Sequence, residues 1–313
     1  MLVNGTWTDK WDPVQSKDED GRFVRLSATF REQEVVHERG RYQLYTALIC
    51  PWAHRTLITR KLKGLEAYVD LAVVEPALTD FGWKFAGPDS AFTESTPDPI
   101  NGAAYMHELY TRAEPTFTGR ATVPVLWDKV TNTAVNNESA DIVRIFNSGF
   151  NGAESVNSSL NLRPESLEAE IDALNAHMYD TLNNGVYKSG FAQSQKAYEE
   201  AVGGVFATLN MLEDRLKDGR PYLFGDRLTE SDIRLYVTLI RFDAAYHGIF
   251  KCNHKRIADY AHLQPYMERL YAQPAFASTT NIDHIKAGYY SIKALNPAGI
   301  IPTGPALPWL SAA

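Results

Sequence analysis

The sequence predicts a chain in two parts, an α/β half followed by an all-helical half, and three observations predict it. β-prone and helical segments alternate up to about residue 150 and no further. A stretch rich in Gly, Asn, Ser and Pro, residues 151–166, then interrupts the pattern and reads as a linker. Beyond it the apolar residues keep helical spacing, most clearly Val202, Val205, Phe206, Leu209, Leu212 and Leu216. At 313 residues the chain is long enough for two domains with a substantial core.

Residues 1–40 are polar and irregular. Trp7, Trp11 and the run Gly21-Arg22-Phe23-Val24-Arg25 predict an extended arm pinned by aromatics. Tyr42 to Leu48 reads as a strand. Pro51 to Lys63 reads as a helix closed by Gly64 at a C′ position. Tyr68 to Glu75 is a second strand, stopped by Pro76, so the two strands form a parallel pair with a helical crossover. Residues 76–118 are a long insertion with a helical patch near 102–111. Val123 to Asp128 is a third strand. It turns at Asn132-Thr133 into a fourth, Thr133 to Asn136, as a hairpin. A helix then opens at Asn137-Glu138-Ser139 with Ile142, Ile145 and Phe146 on one face. The order β-α-β, β-β-α is the thioredoxin-like arrangement, placed over residues 41–150.

The second domain, 167–313, is expected to be all-helical. Its predicted helices are Leu167 to Thr181, Tyr198 to Lys217 and the mostly apolar Ile233 to Tyr246. Thr229-Glu230-Ser231-Asp232 has the form of a capping box, with Leu228 and Ile233 at the staple positions. Residues 296–310 carry four prolines and predict an extended tail. No internal repeat is found.

A net charge of −7 speaks against a nucleic-acid partner, which selects a basic face. No apolar run approaches the ~18 residues that a membrane span needs, so no membrane partner is expected. Met1 to Lys10 has no apolar core of a secretory signal. Two cysteines, Cys50 and Cys252, are too few for a disulfide scaffold, and a reducing cytoplasm fits them better. With no Cys-X-X-Cys present, a resolving thiol for an oxidised Cys50 has to come from outside, most simply from a small-molecule thiol. Cys252, in Lys251-Cys252-Asn253-His254, has no second cysteine nearby. It reads as structural, and no metal site is expected.

Cys50 carries the chemistry. A cysteine directly before a proline that opens a helix lies where unpaired N–H groups and the helix dipole favour thiolate, the nucleophilic form. His54, one turn on, either assists the thiol or faces solvent. Pro124 begins a strand. If its bond is cis, Val123 offers its backbone N–H and C=O to a peptide-like ligand; the other reading is a trans proline at a strand edge. Glu138 and Ser139 lie in a first helical turn. They could hold the ammonium and carboxylate of a γ-glutamyl group, or act as an ordinary cap.

Cys50-Pro51-Trp52-Ala53-His54-Arg55, Thr122 to Asp128, Asn137 to Ala140 and Asn183 to Phe191 (NNGVYKSGF) together resemble the Xi-class glutathione transferases, the glutathionyl-hydroquinone reductases. The resemblance runs through Arg241-Phe242-Asp243, Phe250 to Asn253 and the Asn296-Pro297 tail. It implies a helical C-terminal domain of the glutathione-transferase type and a homodimer. It also implies glutathione as co-substrate, and reduction of aromatic glutathione conjugates through a Cys50–glutathione mixed disulfide. It further implies that Trp83, Arg120, Val123, Glu138 and Ser139 hold glutathione, and that Tyr187 and Tyr289 lie beside the aromatic substrate. Tyr290 is a possible substitute for Tyr289. Gly288, Ile292 and Ile249 stand where the family usually has histidine. An omega-like thioltransferase or dehydroascorbate reductase is the nearest alternative, and a non-catalytic binding module of the same fold is the alternative from another class.

Overall fold

A computed structural model of the chain describes residues 1–8 and 16–312; Trp11 lies outside the described residues. The chain divides into two compact units.

The first unit comprises Ser27–Leu160, Asp283–Ile292 and the start of the chain. Its elements begin with a short hairpin, β1 (Leu2–Val3) and β2 (Thr6–Trp7), followed by β3 (Tyr42–Thr46), α1 (Pro51–Lys63) and β4 (Val69–Val73). The insertion supplies a second hairpin, β5 (Leu78–Thr79) and β6 (Gly82–Trp83), and α2 (Met106–Ala113). β7 (Val125–Asp128), β8 (Thr133–Asn136) and α3 (Ser139–Ser148) complete it. The sheet order is β4-β3-β7-β8, with β3 parallel to β4 and antiparallel to β7. All five residues of β3 are buried, as a central strand covered on both faces requires. Leu44, Leu57, Val69, Leu126, Ile142 and Phe146 belong to one core beneath α1 and α3, each contributing about 1.5–3 kcal/mol of burial.

β3 ends at Thr46, two residues before the predicted end, because Ala47 to Cys50 is a turn closed by the Cys50 N–H on the Ala47 carbonyl at 3.0 Å. Pro51 keeps Cys50 extended, at φ −75° and ψ 118°. The arm is pinned as expected at Trp7, which stacks on His107 at 4.6 Å and donates from Nε1 to the Asp80 carbonyl.

The second unit comprises α4 (Glu168–Met178), α5 (Gly185–Gly190), α6 (Gln195–Arg215), α7 (Glu230–Arg241), α8 (Leu263–Tyr271) and α9 (Pro274–Ala277), with residues 16–26 and the tail. The predicted helix 167–181 stops at Met178 and widens into a π-turn over Tyr179–Asn183. There Asn183 donates its amide to the Arg234 carbonyl and the Thr238 hydroxyl, a pull on one turn that periodicity does not register. α7 likewise ends in a π-turn, Phe242–Tyr246. Thr229 and Asp232 form the capping box. The fully buried Asp232 carboxylate accepts from the Leu223 and Thr229 N–H groups and from the Thr229 and Tyr266 hydroxyls. Burial pushes this carboxyl up, and those four donors pull it back only in part.

The arm and the segment 151–166 are each divided between the two units. The arm is shared: residues 16–26 join the second unit through the Gln193 N–H on the Gly21 carbonyl, Arg22 on Glu200, and Phe23 against Phe191. Residues 151–160 are part of the first unit, where the buried Lys63 ammonium donates to Asn151 Oδ1 and the Leu160 carbonyl. The last helix, α10 (Ile282–Tyr290), comes from the C-terminal half of the sequence. From Asp283 onward it packs with the first unit, through His284 against Phe92 and Glu94.

Candidate active site

Cys50 is the N-cap of α1, half-buried, and not part of a disulfide. Pro51 at N1 removes one N–H, and no acidic residue occupies the first turn to offset the positive end of the helix at which Cys50 stands. Across from it the Val123–Pro124 bond is cis, and Cys50 Sγ lies 3.6 Å from the Val123 carbonyl oxygen. The nucleophile and the backbone proposed for ligand pairing are therefore neighbours. His54 is fully buried and does not face solvent.

Glu138 is the N-cap of α3. Its Oε1 accepts from the Ala140 N–H at 3.0 Å and lies 3.4 Å from the Ser139 hydroxyl. Its own N–H is held by Asn136 Oδ1. Glu138 is half-buried and Ser139 is 3% exposed. The capping geometry leaves Oε2 for a further donor such as an ammonium group. Trp83 is half-buried on β6 opposite Leu78, and Arg120 is half-buried two residues before Thr122.

Seven of the predicted positions fall in the first unit: Cys50, Trp83, Arg120, Val123, Glu138, Ser139 and Tyr289. Tyr187 belongs to the second. Its ring meets Tyr246, Phe191 and Phe250 at 5.2–6.2 Å, and the Arg25 guanidinium lies 4.8 Å over its face. Gly190 allows this cluster: a Cβ there would stand 2.3 Å from the Phe250 ring. Tyr289 is 2% exposed, whereas Tyr290 is half-buried, with a phenol that burial pushes up.

The glycine at 288 has a steric cause. A Cβ on it would lie 2.2 Å from Ile49 Cδ1 and 2.6 Å from the Pro76 carbonyl, so α10 closes directly on the residue that precedes the nucleophile. No side chain fits without moving one or the other.

Cys252 is fully buried, and burial pushes its thiol up to about 12. Among the described residues no group of three His, Cys, Asp or Glu is placed to hold a metal ion. No helix among them is long and apolar enough to cross a membrane.

Sequence reasoning missed Tyr110. Its hydroxyl bridges Thr122 and Asn137, the residues directly before Val123 and before Glu138. Its place in the helical patch of the insertion was the only signal available.

A thioredoxin-like sheet, with a cysteine opening its first helix and a cis-proline beside it, defines a thiol-based protein of that fold. Family models for the glutathione S-transferase N-terminal and C-terminal domains match residues 49–148 and 195–269. The chain is 48% identical to the glutathionyl-hydroquinone reductase PcpF of Sphingobium chlorophenolicum, over 98% of this chain and 97% of that one. It matches the crystal structure of the glutathione S-transferase Xi from Phanerochaete chrysosporium with a TM-score of 0.88 and 48% identity, over 92% and 94% of the two chains. The glutathione-bound structure of YqjG, a glutathione transferase homolog from Escherichia coli K-12, matches with a TM-score of 0.86 and 44% identity, over 99% and 96%. The chain belongs to the Xi class of the glutathione transferases.

Proposed function

We propose that the protein reduces glutathionyl-hydroquinones with glutathione, through Cys50. The observation that carries this reading is the Cys50 sulfur at a helix N-terminus, 3.6 Å from the Val123 carbonyl, with the second thiol of the chain sealed in its core. The relative PcpF bears the name of that activity.

The Cys50 thiolate attacks the sulfur of the glutathionyl group. An S–S bond forms and the C–S bond to the ring breaks. The electron pair goes to the ring carbon, which takes a proton, and the hydroquinone leaves. A second glutathione thiolate then attacks the sulfur that glutathione contributed to the mixed disulfide. Oxidised glutathione departs and the Cys50 thiolate returns. The sum is conjugate plus glutathione giving hydroquinone plus oxidised glutathione.

Val123 pairs with the glutathione backbone, Glu138 takes its ammonium, and Ser139 with the first turn of α3 takes its γ-glutamyl carboxylate. Trp83 and Arg120 complete the glutathione seat, and Tyr187 and Tyr289 serve the aromatic part, where a phenol stabilises charge developing on a quinol oxygen. A homodimer in the cytoplasm belongs to the same reading, as does the domain division at the 151–166 linker.

Cys50→Ser tests the mechanism. Serine cannot form the mixed disulfide, so reductase turnover of a glutathionyl-hydroquinone falls to the uncatalysed background. Substantial retained turnover rules the mechanism out. Comparing the wild type on a glutathionyl-hydroquinone and on a simple glutathione mixed disulfide separates this activity from a general thioltransferase.

A further inference from the structure

Thr122, directly before Val123, and Asn137, directly before Glu138 and Ser139, are joined by one atom from outside both segments. The Tyr110 hydroxyl, on α2 of the insertion, donates to the Thr122 carbonyl at 2.9 Å. It accepts from the Thr122 N–H at 3.1 Å and from Asn137 Nδ2 at 3.0 Å, with Thr122 Oγ1 3.2 Å away. The orientation of the Asn137 amide follows from its other end. Oδ1 accepts the Thr29 and Phe30 N–H groups, so Nδ2 is the atom turned to Tyr110. The phenol ring is 1% exposed and wedged between Phe117 at 5.0 Å and Phe30 at 5.7 Å. A hydroxyl so enclosed is shielded from bulk water, and losing it leaves buried partners unsatisfied.

We propose that Tyr110 is a positioning residue for glutathione. It sets the spacing between the Val123 backbone, which pairs with the peptide, and the Glu138–Ser139 turn, which holds the γ-glutamyl end. The insertion is thereby part of the binding apparatus although Tyr110 itself touches no ligand. The proposal rests on the assignment of glutathione to Val123, Glu138 and Ser139.

The test compares Tyr110→Phe with Glu138→Gln and Ser139→Ala. The first removes only the bridging oxygen, and the other two probe the seat directly. Binding is measured by calorimetry with S-methylglutathione, which cannot form the disulfide. Cys50 alkylation by iodoacetamide serves as a control that needs no glutathione. The expected result is about tenfold weaker S-methylglutathione binding in Tyr110→Phe, with the alkylation rate held within about twofold. In turnover, the KM for glutathione rises while kcat at saturation is kept within about twofold. Unchanged binding in Tyr110→Phe, where Glu138→Gln and Ser139→Ala do weaken it, overturns the role of Tyr110. Unchanged binding in all three overturns the assignment of the seat itself. An equal fall in Cys50 alkylation shows general disruption and also overturns the proposal. If Tyr110→Phe does not fold, Asn137→Ala breaks the bridge from its other end. It must then weaken binding in the same way with alkylation preserved, and failure to do so overturns the proposal.

Discussion

Native protein at pH 8 should react with iodoacetamide at Cys50 and leave Cys252 untouched. Cys252 has no exposed surface, its sulfur lies 3.8 Å from the Phe250 carbonyl, and burial pushes its thiol up to about 12, the neighbouring Ser189 and Lys251 offsetting only part of that. At pH 8 such a thiol is ionised in about one molecule in 10⁴, whereas an ordinary thiol near 8.5 is about one-quarter thiolate. Ionisation alone therefore slows Cys252 by roughly 2 × 10³, and exclusion of the reagent slows it further. Tryptic peptides analysed by mass spectrometry after timed labelling read both sites at once. Carbamidomethyl should appear on Cys50 alone, with Cys252 joining only after unfolding in urea. Oxidised glutathione should likewise leave a single adduct, on Cys50. Labelling of native Cys252 within about tenfold of the Cys50 rate would refute the reasoning. It would also reopen a resolving role for the second thiol, the role that the proposed cycle gives to glutathione.

Asp232→Ala leaves two N–H groups and two hydroxyls facing an empty, fully buried position, and should cost about 3–5 kcal/mol in a urea melt; a loss under about 1 kcal/mol would contradict the capping role. Asp128 closes β7 against Arg41. Burial pushes its carboxyl up, but Arg41 and the Val130 and Thr131 N–H groups outweigh this and hold it below its unfolded value of 3.8. Its stabilisation is thus complete above pH 3.8 and is lost as pH falls through the lower folded value. The stability gap between wild type and Asp128→Asn, about 1–3 kcal/mol near neutrality, should close in that acid range, and a gap independent of pH would exclude the ion pair as its source. Gly288→Ala should cost about 1–3 kcal/mol in a thermal melt, because a Cβ meets Ile49 and the Pro76 carbonyl. Shortening Ile49 to Ala in the same chain should return part of the loss relative to Ile49→Ala alone.

The sequence by itself determined the local features. Pro51 places Cys50 at a helix N-terminus, and Thr229 and Asp232 cap α7, because each depends on neighbours within a few residues; the alternation of strands and helices marks the elements of the first unit in the same local way. The π-turns at Tyr179–Asn183 and Phe242–Tyr246 escaped periodicity, since one widened turn shifts the helical phase without changing which residues are apolar. Only the tertiary structure decided which segments meet. Trp83, Arg120, Val123, Glu138 and Ser139 are candidates supplied by family resemblance alone, and the hydroxyl that links Thr122 to Asn137 comes from Tyr110, in an insertion with no motif of its own. α10 reads as part of the helical half, yet it packs with the first unit because Gly288 lets its backbone rest on Ile49 and Pro76. That glycine is legible as a departure from the family, but its reason is a contact between residues more than 200 positions apart, and a contact of that kind is set by packing in three dimensions rather than by local sequence.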